Sequence, residues 1–357
     1  MTSVSAATIE GLIRHIAPPS ETWRDMARAH LDTLTKPPGS LGRLEDLAAQ
    51  MAAIRQEQFG DPVSKAVYIF AADHGVTAEG VSAYPREVTH QMVLNFLAQG
   101  AAINVLARLH NVRLSVVDVG VDADFQEISG LLHHKIRRGT RNMRHEAAMS
   151  DDELSAALSV GAQLANEAAA TGVTLLAIGE MGIGNTTAAS VITCALTGAS
   201  AKSATGRGTG VQNEAHLRKI RVAEETVTRH FGIAAVPLDI LRCAGGLEIA
   251  AMTGMVLGAA RHRLGIVVDG FISTAAAALA VAIEPNVRGY LIAGHRSEEP
   301  GHQLLLDSLQ LTPVLSLGMR LGEGTGAVLA MPMIESAICL YHQMATFTSA
   351  GVSGASR

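Results

Sequence analysis

Five short apolar runs constrain this chain more than any other feature. They are AVYIFAAD (66–73), VRLSVVDVG (112–120), VTLLAIG (173–179), GIVVDG (265–270) and GYLIAG (289–294). Each is largely hydrophobic, ends in Asp or Gly, and gives way to a loop and a helical stretch. A strand covered on one face alternates apolar and polar residues; a strand covered on both reads as a continuous apolar run. The pattern predicts an α/β fold, a parallel sheet with helices on both faces, doubly wound and Rossmann-like. In such sheets ligands bind beyond the carboxyl ends of the strands. Those ends carry ADHG, DVGV, GEMGIGN, VDGF and AGHRSEEPGH, so polar and glycine-rich residues collect along one edge. An active-site cleft is expected there.

The flanks read differently. ATIEGLIRHIA (7–17) and SETWRDMARAHLDTL (20–34) have helical periodicity, with a break at Pro18-Pro19-Ser20 and Ser20 placed as a helix cap. TGAVLAMPMIESAICLYHQMATF (325–347) reads as a long helix with Pro332 set to kink it. Chain ends often lie close together, so residues 1–35 and 334–357 are expected to form a small helical domain beside a catalytic domain of residues 36–333.

Composition excludes several function classes. Aromatic residues are 3% of the 357, too few for a sugar-stacking or base-stacking surface. The net charge is −5 and no run of five basic residues occurs, which argues against nucleic acid and anionic membrane as partners. HHKIRRGTRNMRH (133–145), the most basic stretch, reads as a solvated strand and loop. Cys194, Cys243 and Cys339 lie far apart in apolar helical contexts, as buried free thiols would in a reducing compartment. The N-terminus lacks the pattern of a signal peptide. IVVDGFISTAAAALAVAI (266–283) has the length of a membrane span, but Asp269 and Gly270 interrupt it, and a buried strand followed by a buried helix fits better. The expectation is a soluble cytoplasmic protein.

Three glycine-rich loops fall at the expected sheet edge. GIGNTT (182–187) joins a strand to a helix, where glycines allow close backbone approach and the helix N-terminus offers N–H groups to an anion. GRGTG (206–210) precedes a helix carrying Arg218 and Lys219, and GHRSEEPGH (294–302) is the third. Each alone could be a plain tight turn. Together, with no Walker lysine, they favour a phosphorylated small molecule carrying a monophosphate. Asp73 and His74 in ADHGV match no firm metal-ligand spacing, and His74 is expected to be a hydrogen-bonding loop residue. Glu180 in GEMGIGNTT and Glu323 in LGEGTGA are the acid–base candidates. A carboxyl in a glycine-lined, partly apolar pocket gains proton affinity and serves as a base near neutrality. The plainer reading of each is a glutamate favoured by a helix N-terminus. GVSAYPREVTHQM (80–92), with Pro85 starting a helix, is expected to wall an aromatic ligand.

KPPGSLGRLEDLA, AADHGVTAEGVSAYPREVTHQM, GEMGIGNTT, GRGTG, VDGFISTAAAL, GHRSEEPGH and LGMRLGEGTGA occur in this order. Together they resemble the nicotinate-nucleotide–dimethylbenzimidazole phosphoribosyltransferase family of cobalamin lower-ligand synthesis, from about Lys36 to about Met333. The resemblance implies transfer of the phosphoribosyl group of nicotinate mononucleotide to 5,6-dimethylbenzimidazole. The products are nicotinate and α-ribazole 5′-phosphate, with inversion at the anomeric carbon. It implies no metal and no cofactor, and a homodimer. By the same resemblance Glu323 is the general base, and Glu180 a second catalytic glutamate near the sugar. Ser82, Tyr84, Gln91 and Met181 fall in the benzimidazole pocket. Gly182, Gly184, Asn185, Gly208, Lys219 and Ser297 fall in the segments that hold phosphate and ribose. Another ribosyltransferase, such as a nucleoside phosphorylase, and a catalytically silent nucleotide-binding module are the rivals. The retention of Glu323 argues against the silent module.

Overall fold

Six parallel strands form one sheet in the order β3-β2-β1-β4-β5-β6. They are β1 Lys65–Ala72, β2 Arg113–Gly120, β3 Leu131–His133, β4 Leu175–Met181, β5 Gly265–Val268 and β6 Leu291–Ala293. A computed structural model describes residues 11, 13–126, 128–208, 210–232 and 235–353. All five apolar runs became strands, and the alternation with helices produced the doubly wound sheet. The three-residue β3 gave no such signal, because a strand this short has no periodicity to read. β4 runs two residues past VTLLAIG, so Glu180 and Met181 belong to the strand and not to the turn after it.

In chain order the helices of eight residues or more begin with α1 Glu21–Leu31, α2 Arg43–Arg55, α3 Val88–Leu97 and α4 Ala102–Leu109. Next come α5 Asp151–Ala170, α6 Asn185–Thr197, α7 Asn213–His230 and α8 Pro237–Ala244. The last are α9 Leu247–Arg261, α10 Phe271–Ile283, α11 Pro300–Leu309 and α12 Thr325–Gln343. Local chemistry explains their starts. Ser20 caps α1, its Oγ accepting the Trp23 N–H at 3.4 Å. Ser150 and Glu153 close a reciprocal capping box on α5, at 3.2 and 2.7 Å. Pro85 was expected to start a helix, but it sits in the turn before α3, which begins at Val88. The 266–283 stretch divides into β5 and α10, as its Asp and Gly require. A second apolar stretch, Val88–Leu109, also has the length and hydropathy of a span, and the chain breaks it into α3 and α4.

Helix α9 is buried along almost its whole length and packs on α5 and on strands β1, β2, β4 and β5. The α5–α9 crossing is a backbone contact. A Cβ on Gly161 would overlap the Ala251 carbonyl oxygen, and one on Gly254 would overlap that of Leu158. Alanines fill the surrounding positions, which explains how an alanine-rich chain builds a dense core with few aromatics.

Segments near the two ends of the described chain meet. Leu34 bridges Thr346, and the Thr35 N–H donates to Ala345 at 3.0 Å. The His30 ring lies 3.0 Å from the Tyr341 carbonyl oxygen. Residues 7–10 and 12 of the expected 7–17 helix, and residues 354–357, lie outside the described residues. Two expectations need correction. Cys194 and Cys243 are buried free thiols, but Cys339 is exposed on the outer face of α12. The basic stretch 133–145 is not simply solvated, because its cations are paired. Lys135 contacts Asp118 at 3.0 Å, Arg141 chelates Glu153 at 2.7 and 3.1 Å, and Arg144 reaches Glu225 at 2.6 Å.

Gly161→Val is expected to force α5 and α9 apart and to destabilise the fold by about 1–3 kcal/mol or more, as overpacked cores do. Urea unfolding followed by circular dichroism measures it; an unchanged midpoint would mean the crossing relaxes freely.

Candidate active site

The order of the strands reverses between β1 and β4, because the chain builds outward on one side as far as β3 and then returns to build on the other. No crossover covers the carboxyl ends at such a point, and ligands bind in the crevice left there. A cleft open to solvent lies beside β4 and extends over β5 and β6. Its lining includes Glu180, Met181, Gly182, Asn185, Gly208, Ser297 and Glu323. The structure therefore brings both glutamates and most of the expected phosphate-segment residues to one cavity.

Glu323 precedes α12 in a turn of unusual backbone. Gly322, Glu323 and Gly324 have φ of 86°, 62° and 83°. The left-handed region disfavours a residue with a Cβ by roughly 1–2 kcal/mol, so only Glu323 bears strain here. The turn lies directly on β4: a Cβ on Gly179 would stand 2.7 Å from the Glu323 carbonyl. Glu323 is almost fully buried, with Oε2 lacking a partner, and the Ile103 N–H at the start of α4 donates to its carboxyl. Burial, with Asp269 adding negative charge, pushes its pKa up to about 7.

Glu180 is buried at the end of β4 and accepts a hydrogen bond from the Asn185 side chain at the start of α6. Its Oε1 occupies the space that a Cβ on Gly322 would need, so the glycine lets the two glutamate segments touch. Burial, then the neighbouring Asp269, Glu248 and Glu323 carboxylates, pushes its pKa up to about 8, against the effect of Asn185. Near neutrality the cleft therefore holds Glu180 mainly as the neutral acid.

A polar corner lies at the other side of the cleft. Lys219 on α7 is buried; its Nζ donates to Thr186 Oγ1 at 2.8 Å and to the Gly206 carbonyl at 3.3 Å. Burial lowers its pKa to about 8, with Glu299 opposing. Lys219 supports the 206–208 loop from beneath, and it does not itself line the cleft. The Gly208 N–H donates to Glu299 at 2.8 Å, and Arg320 donates to the Gly208 carbonyl at 3.0 Å. Ser297 is set by His302, whose Nδ1 accepts the Ser297 N–H at 2.9 Å. Burial drives His302 down to about 3, so it is neutral and its other nitrogen faces Thr274 Oγ1 at 3.0 Å.

Gly184 lies against His74 and Thr77, just behind the lining. Ser82, Tyr84 and Gln91 do not line the cleft; Ser82 is half-buried and the other two are exposed. Their segment touches it through Thr89, whose Oγ1 accepts the Ile183 N–H at 3.1 Å. His74 is a hydrogen-bonding residue, 2.6 Å from Glu248. Among the described residues no group of three His, Cys, Asp or Glu side chains is placed to hold a metal. Sequence reasoning missed Thr89, His295, Glu299 and Arg320. Two of these lie in GHRSEEPGH, but nothing in one dimension separates the residues that face a cleft from those that hold its walls.

A family model described as phosphoribosyltransferase matches residues 16–352. The nicotinate-nucleotide–dimethylbenzimidazole phosphoribosyltransferase of Geobacter sp. (strain M21) is 49% identical over 345 residues, covering 97% of this chain and 99% of its own. That of Chloroflexus aggregans is 50% identical over 341 residues, covering 96% and 97%. The crystal structure of CobT from Thermus thermophilus superposes with a TM-score of 0.90 at 46% identity, covering 94% of this chain and all of that one.

The upward shift of Glu180 fixes the sign of one stability effect. Its folded pKa of about 8 exceeds the ordinary 4.5, so its protonated form favours folding fully below about 4.5, and that contribution is lost as pH rises to about 8. Glu180→Gln, which stays neutral, is expected to gain in melting temperature over wild type as pH rises from 5 to 8. A gain that does not vary with pH would show Glu180 ionising normally.

Proposed function

The chain belongs to the phosphoribosyltransferase family of its relatives, and from that membership we propose that it transfers the phosphoribosyl group of nicotinate mononucleotide to 5,6-dimethylbenzimidazole. One benzimidazole nitrogen attacks the anomeric carbon. The bond to the nicotinate nitrogen breaks, and its electron pair neutralises the positive ring. Attack opposite the leaving group inverts the configuration and gives α-ribazole 5′-phosphate. The proton on the second benzimidazole nitrogen goes to Glu323.

The observation that carries this reading is Glu323 itself: a buried carboxyl with one oxygen free, facing the cleft, tuned to about 7. A base with a pKa near the working pH combines a useful ionised fraction with useful proton affinity. Glu180 would lie by the ribose and, held mainly as the neutral acid, would bind its hydroxyls. Gly182, Gly184, Asn185, Gly208 and Ser297 would hold the 5′-phosphate and ribose, supported by the N-terminus of α6 and by the Lys219 charge beneath Gly208. Met181, on the cleft wall, would contact the benzimidazole, with Ser82, Tyr84 and Gln91 closing over it. The reaction as written needs no cofactor or metal.

We further read the protein as a cytoplasmic homodimer, with the paired chain ends as a small helical domain. Exposed Leu321 at the cleft and exposed Tyr84 support a second copy closing the mouth. Light scattering in solution tests the dimer; a monomer at working concentration would remove it.

Glu323→Gln is expected to lower turnover by about 10²–10⁴-fold, the usual contribution of general-base catalysis, with nicotinate mononucleotide binding retained. Chromatography of nicotinate and α-ribazole phosphate, with and without dimethylbenzimidazole, measures it; full turnover would remove Glu323 as the base. In wild type, kcat/KM is expected to fall on the acid side of about pH 7 as Glu323 takes up a proton. Lys219→Ala should raise KM for nicotinate mononucleotide and leave that for dimethylbenzimidazole unchanged. Equal rises in both would move Lys219 out of the phosphate site.

A further inference from the structure

Asp269 has no part in the transfer described above, yet it is 1% exposed beside the cleft-lining residues Gly270 and His295. It follows the last residue of β5, at the expected ligand-binding edge. Its Oδ2 accepts the Gly324 N–H at 3.1 Å, and its Oδ1 accepts the Ala327 N–H at 3.0 Å. The Gly326 N–H also donates to it. These amides belong to the N-cap and first turn of α12, which lack partners inside the helix. A carboxylate also suits a helix N-terminus electrostatically.

The placement of these bonds matters. The Gly324 N–H belongs to the peptide group that leaves Glu323, so holding it fixes the rotation about that residue. Glu323 sits in the left-handed region, where it needs outside support. His295 Nε2 stands 3.6 Å from Asp269 Oδ1, with both its ring nitrogens lacking hydrogen bonds. The charged and titratable groups facing Asp269 are thus His295 after β6, Glu180 on β4 and Glu323 itself.

Resting on the transferase reading, we propose that Asp269 is the positioning residue for the base. It holds the Glu323 backbone through the amides of α12, and its negative charge strengthens Glu323 as a proton acceptor. The second link follows from Glu323 lying close enough for the charge of Asp269 to raise its proton affinity, after burial.

Asp269→Asn keeps the shape, removes the charge and turns an amide group toward a backbone N–H. Turnover is expected to fall on the order of 100-fold, as for a misplaced catalytic group, with KM for nicotinate mononucleotide unchanged. In a Glu323→Gln background the same substitution should cause no further loss, because Asp269 acts through Glu323. Wild-type turnover in the single variant, or losses that multiply in the double, would overturn the proposal. Wild type is assayed in parallel: if it forms no α-ribazole phosphate, the transferase reading falls, whereas an active wild type beside an equally active Asp269→Asn removes only the role of Asp269. An NMR titration of ¹³C-labelled glutamate carboxyls does not depend on the reaction. It should move Glu323 to lower pH in Asp269→Asn, and an unmoved titration overturns the electrostatic link. Should Asp269→Asn fail to fold, His295→Gln leaves both carboxylates in place. Its turnover is expected to drop increasingly as pH falls and Asp269 protonates; wild-type rates at every pH would overturn the proposal.

Discussion

The pairing of β1 with β4 is the constraint on which the rest of the molecule depends. These strands are adjacent in the sheet and far apart in the chain, and the two strands between them in the chain, β2 and β3, lie on the far side of β1. Their carboxyl ends open into an uncovered crevice, and each later element delivers one more group to it. β4 ends in Glu180, β5 leads to Asp269, β6 leads to His295 and Ser297, and the turn before α12 presents Glu323. The functional groups come from distant parts of the chain; strand geometry brings them to one edge, and contacts such as those of Asp269 with the Glu323 turn tie them together there.

That convergence sets an electrostatic problem. Glu180, Glu248, Asp269 and Glu323 are all buried near one another, and burial without pairing disfavours charge. The protein meets this in two ways. Some carboxylates are partnered: Glu248 by His74, and Asp269 by three amides and a nearby imidazole. Others are left with raised proton affinity, Glu180 and Glu323 among them. Asp269, for all its partners, shares the raised proton affinity; of the four, Glu180 and Glu323 line the cleft.

The strands and the clustering of polar residues were legible because continuous apolar runs have few other uses. Glu180 and Glu323 were legible because carboxylates between glycines are rare in ordinary turns. The supporting groups were not. Asp269 looked like the end of a strand; it follows β5, and its hydrogen bonds run to amides 55 and 58 residues later. His302 and Lys219 likewise act through contacts across the chain, which no local pattern encodes. Cys339 misled for the same reason: an apolar helical context says that a helix is buried somewhere, but not which face is. The basic stretch hid its pairing because the carboxylates that neutralise it come from β2, α5 and α7.

The segment carrying Ser82, Tyr84 and Gln91 meets the 182–184 turn through Thr89, while the backbone of the Glu323 turn is held by Asp269. The two are anchored by separate hydrogen bonds, and only the Glu323 carboxyl reaches α4, the helix that follows that segment, through the Ile103 N–H. On the proposed reading, the surface that selects the aromatic acceptor can therefore diverge while the proton-accepting turn stays as it is. Such a division gives a lineage freedom to change which ring it attaches to ribose by substituting one exposed loop, with the chemistry inherited intact.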